Sequence, residues 1–108
     1  MSDCDLDFLH ELESVIRDRL QRPVPDSYVT RLLREGTRRQ AQKVGEEAVE
    51  LALAAVSGDT PEQLEEAADL LFHMLVALNA KGVRLEHVSA VLEQRHAKMV
   101  LQKSEETQ

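Results

Sequence analysis

"GEEAVELALAAVSGDTPEQLEEAADLLFHML", residues 45–75, contains two runs with helical spacing, separated by a break at "SGDT". At about 100° per residue, with Glu46 as origin, Glu50 falls near 40° and Glu47 near 100°. Arg39 and Lys43, on the preceding turns, share that sector. Val44, Ala48, Leu51, Ala52 and Ala55 gather on the other side. On the second run Glu62, Glu66, Asp69 and His73 occupy one sector, and Leu64, Leu71, Leu75 and Leu78 the opposite one. Each run is thus a helix with one apolar stripe and one carboxylate-rich stripe. Joined by so short a link, the two predict a helical hairpin with its acidic stripes side by side.

The flanking sequence is helical too. Leu9, Leu12, Ile16 and Leu20 recur at helical spacing and predict a helix over residues 5–21. "RPVPDS" breaks it, because two prolines two apart cannot continue a helix. Ser27 is placed to cap a short helix, "YVTRLLRE", that stops at Gly36. Thr37 and Gln40 stand as a capping box, so the first long helix is expected from Arg38 to about Val56. Thr60, Pro61 and Gln63 predict a second box, opening a helix that runs to about Ala80, with Gly82 beyond it. Leu85, Val88, Leu92 and Met99 mark a last helix, and "KSEETQ" reads as a frayed tail. No β pattern, internal repeat or low-complexity segment appears. The expected architecture is a single all-α domain over residues 1–108, a bundle of four to five helices. Its core is expected over about 5–100, with a disordered tail at 101–108.

Composition narrows the function. The chain has 108 residues and a formal net charge of −7, which argues against a nucleic-acid partner. Cys4 is the single cysteine, so an internal disulfide and a cysteine-based zinc site are both excluded, and it reads as inert. "MSDCDLDFLH" lacks the basic-then-apolar order of a signal peptide, and "LLFHMLVAL" is too short to cross a bilayer. A cytoplasmic protein with no membrane partner is expected. Only Tyr28, Phe8 and Phe72 are aromatic, and a core of Leu, Ala and Val in so small a chain gains from a second subunit. A homodimer packed through its helices is expected.

The carboxylates need a reason. Glu46 and Glu50 form a like-charge i,i+4 pair, which costs roughly 0.2–0.5 kcal/mol, and Lys43 precedes Glu47 in the less favourable order. The acidic pattern recurs on the next helix as "EEAAD". Either these residues solvate an exposed face, or carboxylates from both helices hold a hard divalent cation. Mg²⁺ takes about six oxygens and keeps several as water or phosphate. Arg39 and Lys43 are placed to hold the remaining phosphate charge, and Glu46 or Glu47 to act as general base. Weaker candidates are His73, more often a packing residue than a ligand, and Glu93-x-x-His96, half of a di-iron pattern. Gly45 inside a helix suggests close approach of a neighbouring helix or, as the second reading, of a phosphate, and Arg95 reads as a solvated arginine ahead of a phosphate contact.

"EEAVE" followed by "EAAD" resembles the E-E-x-x-E…E-x-x-D metal motif of the all-α NTP pyrophosphohydrolases, the MazG-like superfamily. Within it, "DSYVTRLLREGTRRQAQKVGEEAVE" and "EEAADLLFHMLVAL" resemble the phosphoribosyl-ATP pyrophosphatase family, over residues 6–96. The resemblance implies an α-helical dimer that hydrolyses phosphoribosyl-ATP to phosphoribosyl-AMP and pyrophosphate in histidine biosynthesis, with Mg²⁺. By position, Glu47, Glu50, Glu66 and Asp69 match the metal-binding pattern, Glu46 its leading acid, and Lys43 a lysine for phosphate. In many organisms this activity is fused to a cysteine-rich zinc cyclohydrolase, so a chain with one cysteine is expected to be monofunctional. Two alternatives stand beside this reading: a housekeeping (d)NTP pyrophosphohydrolase of the same superfamily, and a non-catalytic helical dimerisation module.

Overall fold

The computed structural model describes residues 6–106, so Cys4 and the last two residues of the tail lie outside the described part. It contains five helices: α1 (Asp7–Gln21), α2 (Tyr28–Glu35), α3 (Thr37–Ser57), α4 (Thr60–Asn79) and α5 (Leu85–Glu106). Among the described residues there is no strand, and the fold is all-α. Helix α2 begins as its sequence dictates, with Ser27 Oγ accepting from the Thr30 amide at 3.2 Å.

Two caps differ from expectation. Helix α3 has no capping box, because its N-cap is Gly36, at φ 94°, and α3 starts one residue earlier at Thr37. The Gln40 side chain is used elsewhere, donating to the Leu32 carbonyl of α2 at 3.1 Å. Helix α4 is capped by Asp59, whose carboxylate accepts from the Glu62 amide at 3.2 Å. The left-handed Gly58, at φ 80°, ends α3 and leaves Asp59 in extended backbone, so Thr60 and Pro61 become the first helical residues. Helix α5 also runs further than expected, to Glu106.

The hairpin of α3 and α4 is the spine, with α1 and α2 packed across it. Ile16, Val29, Leu32, Leu75 and Val76 form the core, drawn from α1, α2 and α4. Glu13, only 3% exposed, fastens that core to the start of α5. Its Oε2 accepts from Asn79 Nδ2 at 2.9 Å and from the Leu85 amide at 2.6 Å, and Oε1 faces Arg17 at 3.6 Å.

Which side of α3 faces inward differs from the simple picture of an apolar seam. Gln40, Glu47 and Ala54 are its buried residues, while Ala48, Ala52, Ala55, Val49, Leu53 and Val56 are exposed. Glu47, at one edge of the carboxylate stripe, lies against α4 while Glu46 and Glu50 are exposed, and most of the apolar stripe faces away from the rest of the chain. A Cβ placed on Gly45 would meet nothing within 4 Å, so no described helix of this chain crowds that position.

Candidate functional site

Glu47 from the middle of α3 and Glu66 and Asp69 from the first half of α4 converge, each offering an oxygen within 4.8 Å of the others. Glu66 and Asp69 are three apart on one helix and share a face. Glu47 meets them because the Gly58–Asp59 link turns α4 back along α3. Glu47 is 7% exposed, and its Oε2 and that of Glu66 are buried with no hydrogen-bond partner. Two desolvated oxygens without a donor are costly to a fold and fit a cation, whose charge and open coordination would satisfy both. A solvated acidic face would show neither.

Glu50, one turn beyond Glu47 and exposed, shares a hydrogen bond with Glu66. That bond, followed by burial and the charges of Glu50, Asp69 and Glu47, pushes the Glu66 carboxyl up to about 7. Lys43 closes the other side, with Nζ 3.3 Å from Glu47 Oε1 and 3.3 Å from Glu46 Oε1. Burial works against the Lys43 charge, but hydrogen bonds to Glu47 and Glu46 outweigh it and hold its pKa above the ordinary value. Glu46 is exposed, and hydrogen bonds from Gln42 (2.8 Å) and then Lys43 hold its carboxyl below the ordinary range. Arg39 lies a turn further back with Nε 3.6 Å from Glu35, so it is not drawn into the cluster.

His73 is a hydrogen-bonding residue, as its position on the helix flank suggested. Its Nδ1 lies 2.7 Å from the Asp69 carbonyl and its Nε2 2.9 Å from Tyr28 Oη. A carbonyl can only accept, so in the neutral ring Nδ1 carries the hydrogen and Nε2 accepts from the Tyr28 hydroxyl. The phenol ring stacks on Phe72 at 6.0 Å between centroids. Tyr28 thereby joins α2 to the helix carrying Asp69 and stands near Lys43. Sequence reading did not single it out, because its partner is 45 residues away. Glu93, Arg95 and His96 lie exposed on α5 and take no part.

The sequence profile of the phosphoribosyl-ATP pyrophosphohydrolase family matches residues 9–96. Phosphoribosyl-ATP pyrophosphatase of Pyrobaculum arsenaticum is 53% identical over 87 residues, covering 81% of this chain and 93% of that one. The enzyme of the same name from Pyrobaculum islandicum is 49% identical over 89 residues, covering 82% and 95%. A histidine biosynthesis bifunctional protein of Photobacterium profundum is 47% identical over 91 residues. Those residues are 84% of this chain and 44% of that protein, so the chain spans under half the length of its bifunctional relatives.

Proposed function

Since the chain belongs to the phosphoribosyl-ATP pyrophosphohydrolase family, we propose that it hydrolyses phosphoribosyl-ATP to phosphoribosyl-AMP and pyrophosphate at the α3–α4 acidic cluster. The observation that carries this is the convergence of Glu47, Glu66 and Asp69 with two buried, unpartnered carboxylate oxygens. These three, with Glu50 at the edge, would hold Mg²⁺. When bound, the ion supplies charge neutralisation at the triphosphate oxygens.

The protein's own groups do the rest. Lys43, kept charged by Glu46 and Glu47, faces the triphosphate as a second positive charge. Glu47 is committed to the cluster, which leaves Glu46 as the base. Glu46 is ionised at neutral pH, the form that takes a proton from the attacking water, while Gln42 and Lys43 hold its carboxyl below the ordinary range and so temper its basicity. Arg39, one turn away, would have to exchange Glu35 for the phosphates to serve them. The enzyme works as a homodimer in the cytoplasm. No described helix is long and apolar enough to cross a membrane.

Pyrophosphate release with phosphoribosyl-ATP, set against a panel of NTPs and dNTPs, tests the reading. We expect kcat/KM at least tenfold higher for phosphoribosyl-ATP, a difference of about 1.4 kcal/mol in transition-state binding. Equal rates with dUTP or dCTP would move the chain to a housekeeping role, and no release from any of them would leave a helical dimerisation module.

A further inference from the structure

The substrate in the proposed reaction has two anionic ends. One is the triphosphate, and the other is the single phosphate on the extra ribose, with the purine and two riboses between them. An enzyme that tells this molecule from ATP needs a second anion site beside the metal cluster, not within it. The chain is acidic overall, yet six of its 13 Lys and Arg residues fall in residues 22–43, where Asp26 and Glu35 are the acids. Part of this local excess lines a cleft of about 410 Å³ at the start of α2, whose polar lining is Asp26, Ser27, Tyr28, Thr30, Arg31 and Arg34, two cations against one acid.

Three features separate this cleft from an ordinary solvated surface. Arg17, Arg19, Arg22, Arg39 and Arg84 are each paired with a carboxylate, whereas neither Arg31 nor Arg34 forms an ion pair with any described one. The Arg31 guanidinium is held over the Tyr28 ring, 5.0 Å from its centroid, so its planar fork is already oriented. Tyr28 in turn is fixed by His73, which is fixed on the Asp69 carbonyl, so the cleft is registered against the metal cluster through two hydrogen bonds.

We propose that Arg31 and Arg34 bind the phosphate of the substrate's extra ribose and determine specificity for phosphoribosyl-ATP over ATP. Arg31, held on Tyr28, makes the oriented two-bond contact of a guanidinium with a phosphate, and Arg34 adds charge from the next turn of α2. The inference rests on the substrate reading above. It goes further by assigning which residues read the group that ATP lacks.

Phosphoribosyl-AMP and AMP differ by the extra ribose and its phosphate, so their binding to the metal-free protein in EDTA, measured by calorimetry, reads those contacts apart from catalysis, and the arginine variants pick out the phosphate's share. The parent is expected to bind phosphoribosyl-AMP at least tenfold more tightly than AMP. Arg31→Ala and Arg34→Ala should each reduce that ratio, the double variant should bring it near one, and Arg31→Lys should fall between. Arg38→Ala, which removes an arginine of α3 outside the cleft, should leave the ratio intact. With metal, Arg31→Ala should raise KM for phosphoribosyl-ATP at least tenfold. Thermal melts should still show the parent's shift with Mg²⁺, since the cluster is untouched. A parent preference that survives in the double variant, or falls equally in Arg38→Ala, overturns the proposal. A parent that releases pyrophosphate from phosphoribosyl-ATP but binds the two monophosphates alike also overturns it, leaving the activity in place. Failure to act on phosphoribosyl-ATP at all sinks the substrate reading itself.

Discussion

Glu66 and Glu50 share a hydrogen bond that needs a proton, because two ionised carboxylates can only accept. Without metal, the native state therefore holds a proton there that the unfolded chain gives up at ordinary carboxylate pH. With Glu66 raised from 4.5 to about 7, the sign follows directly. The native state binds the proton more tightly, so the stability from this group is full below pH ~4.5 and lost as pH rises through about 7. Glu66→Gln supplies an amide donor to Glu50 with no titration. In EDTA its melting temperature should gain on the parent's as pH goes from 5 to 8, while Mg²⁺ at pH 8 should raise the parent far more than the variant. Sodium chloride at matched ionic strength is the control, and an equal shift from it would mean a merely solvated acidic face. The members of this cluster were legible in the sequence. Glu66 and Asp69 are i,i+3 neighbours, and the like-charge pair Glu46 and Glu50 stood out as unfavourable unless it served something. Tyr28 was not legible, since a hydroxyl and an imidazole 45 residues apart leave no local signature.

At the scale of elements, helix identity follows from apolar spacing, while helix ends depend on which of several capable residues the turn selects. Asp59 and Thr60 can both cap; Gly58 in the left-handed region decides for Asp59. Asp59→Ala should therefore cost about 1 kcal/mol of stability, and Thr60→Ala close to nothing, in urea melts. The register of α1 on α4 has a clearer dependence on one side chain. Glu13→Leu keeps an apolar filler but leaves the Leu85 amide without its acceptor and strips Asn79 Nδ2 of one of its two, the Leu75 carbonyl remaining. An orphaned donor costs about 1–3 kcal/mol, so a total loss of up to about 3 kcal/mol is expected, with Glu13→Gln milder because it keeps one acceptor oxygen. Equal stability for parent and Glu13→Leu would show that these contacts do not fasten α5. A lone glutamate within the α1 pattern gives no hint of this role, which exists only once α4 and α5 are in place.

At the scale of the whole molecule, one copy of the chain is too open. Its radius of gyration is 17.1 Å, where about 13 Å suits a compact domain of this length. It exposes 8209 Å², where a compact monomer of 12.2 kDa exposes about 6000 Å². The excess, roughly 2000 Å², is comparable to what each copy would contribute to a large obligate interface. The apolar groups that would fill it are visible: Leu53 and Val56 on α3 are 65% and 87% exposed, and Leu64 on α4 is 67% exposed. The sequence marked an apolar stripe on α3 at Val44, Ala48, Leu51, Ala52 and Ala55, which leaves out Leu53 and Val56, because a face covered by a second copy need not follow the stripe that periodicity picks out. We therefore expect sedimentation at micromolar concentration to give twice 12.2 kDa. Leu53→Glu would place an unpaired charge in that interface. It should shift the protein to monomer and lower its melting temperature in a concentration-dependent way, without touching Glu47, Glu66 or Asp69. Ser14→Glu, on the exposed side of α1, serves as a charge control and should remain dimeric. Should the parent sediment as a stable monomer, or Leu53→Glu stay dimeric with an unchanged melting temperature, the apolar face of α3 would not be the interface, and its exposure would be a property of the active molecule.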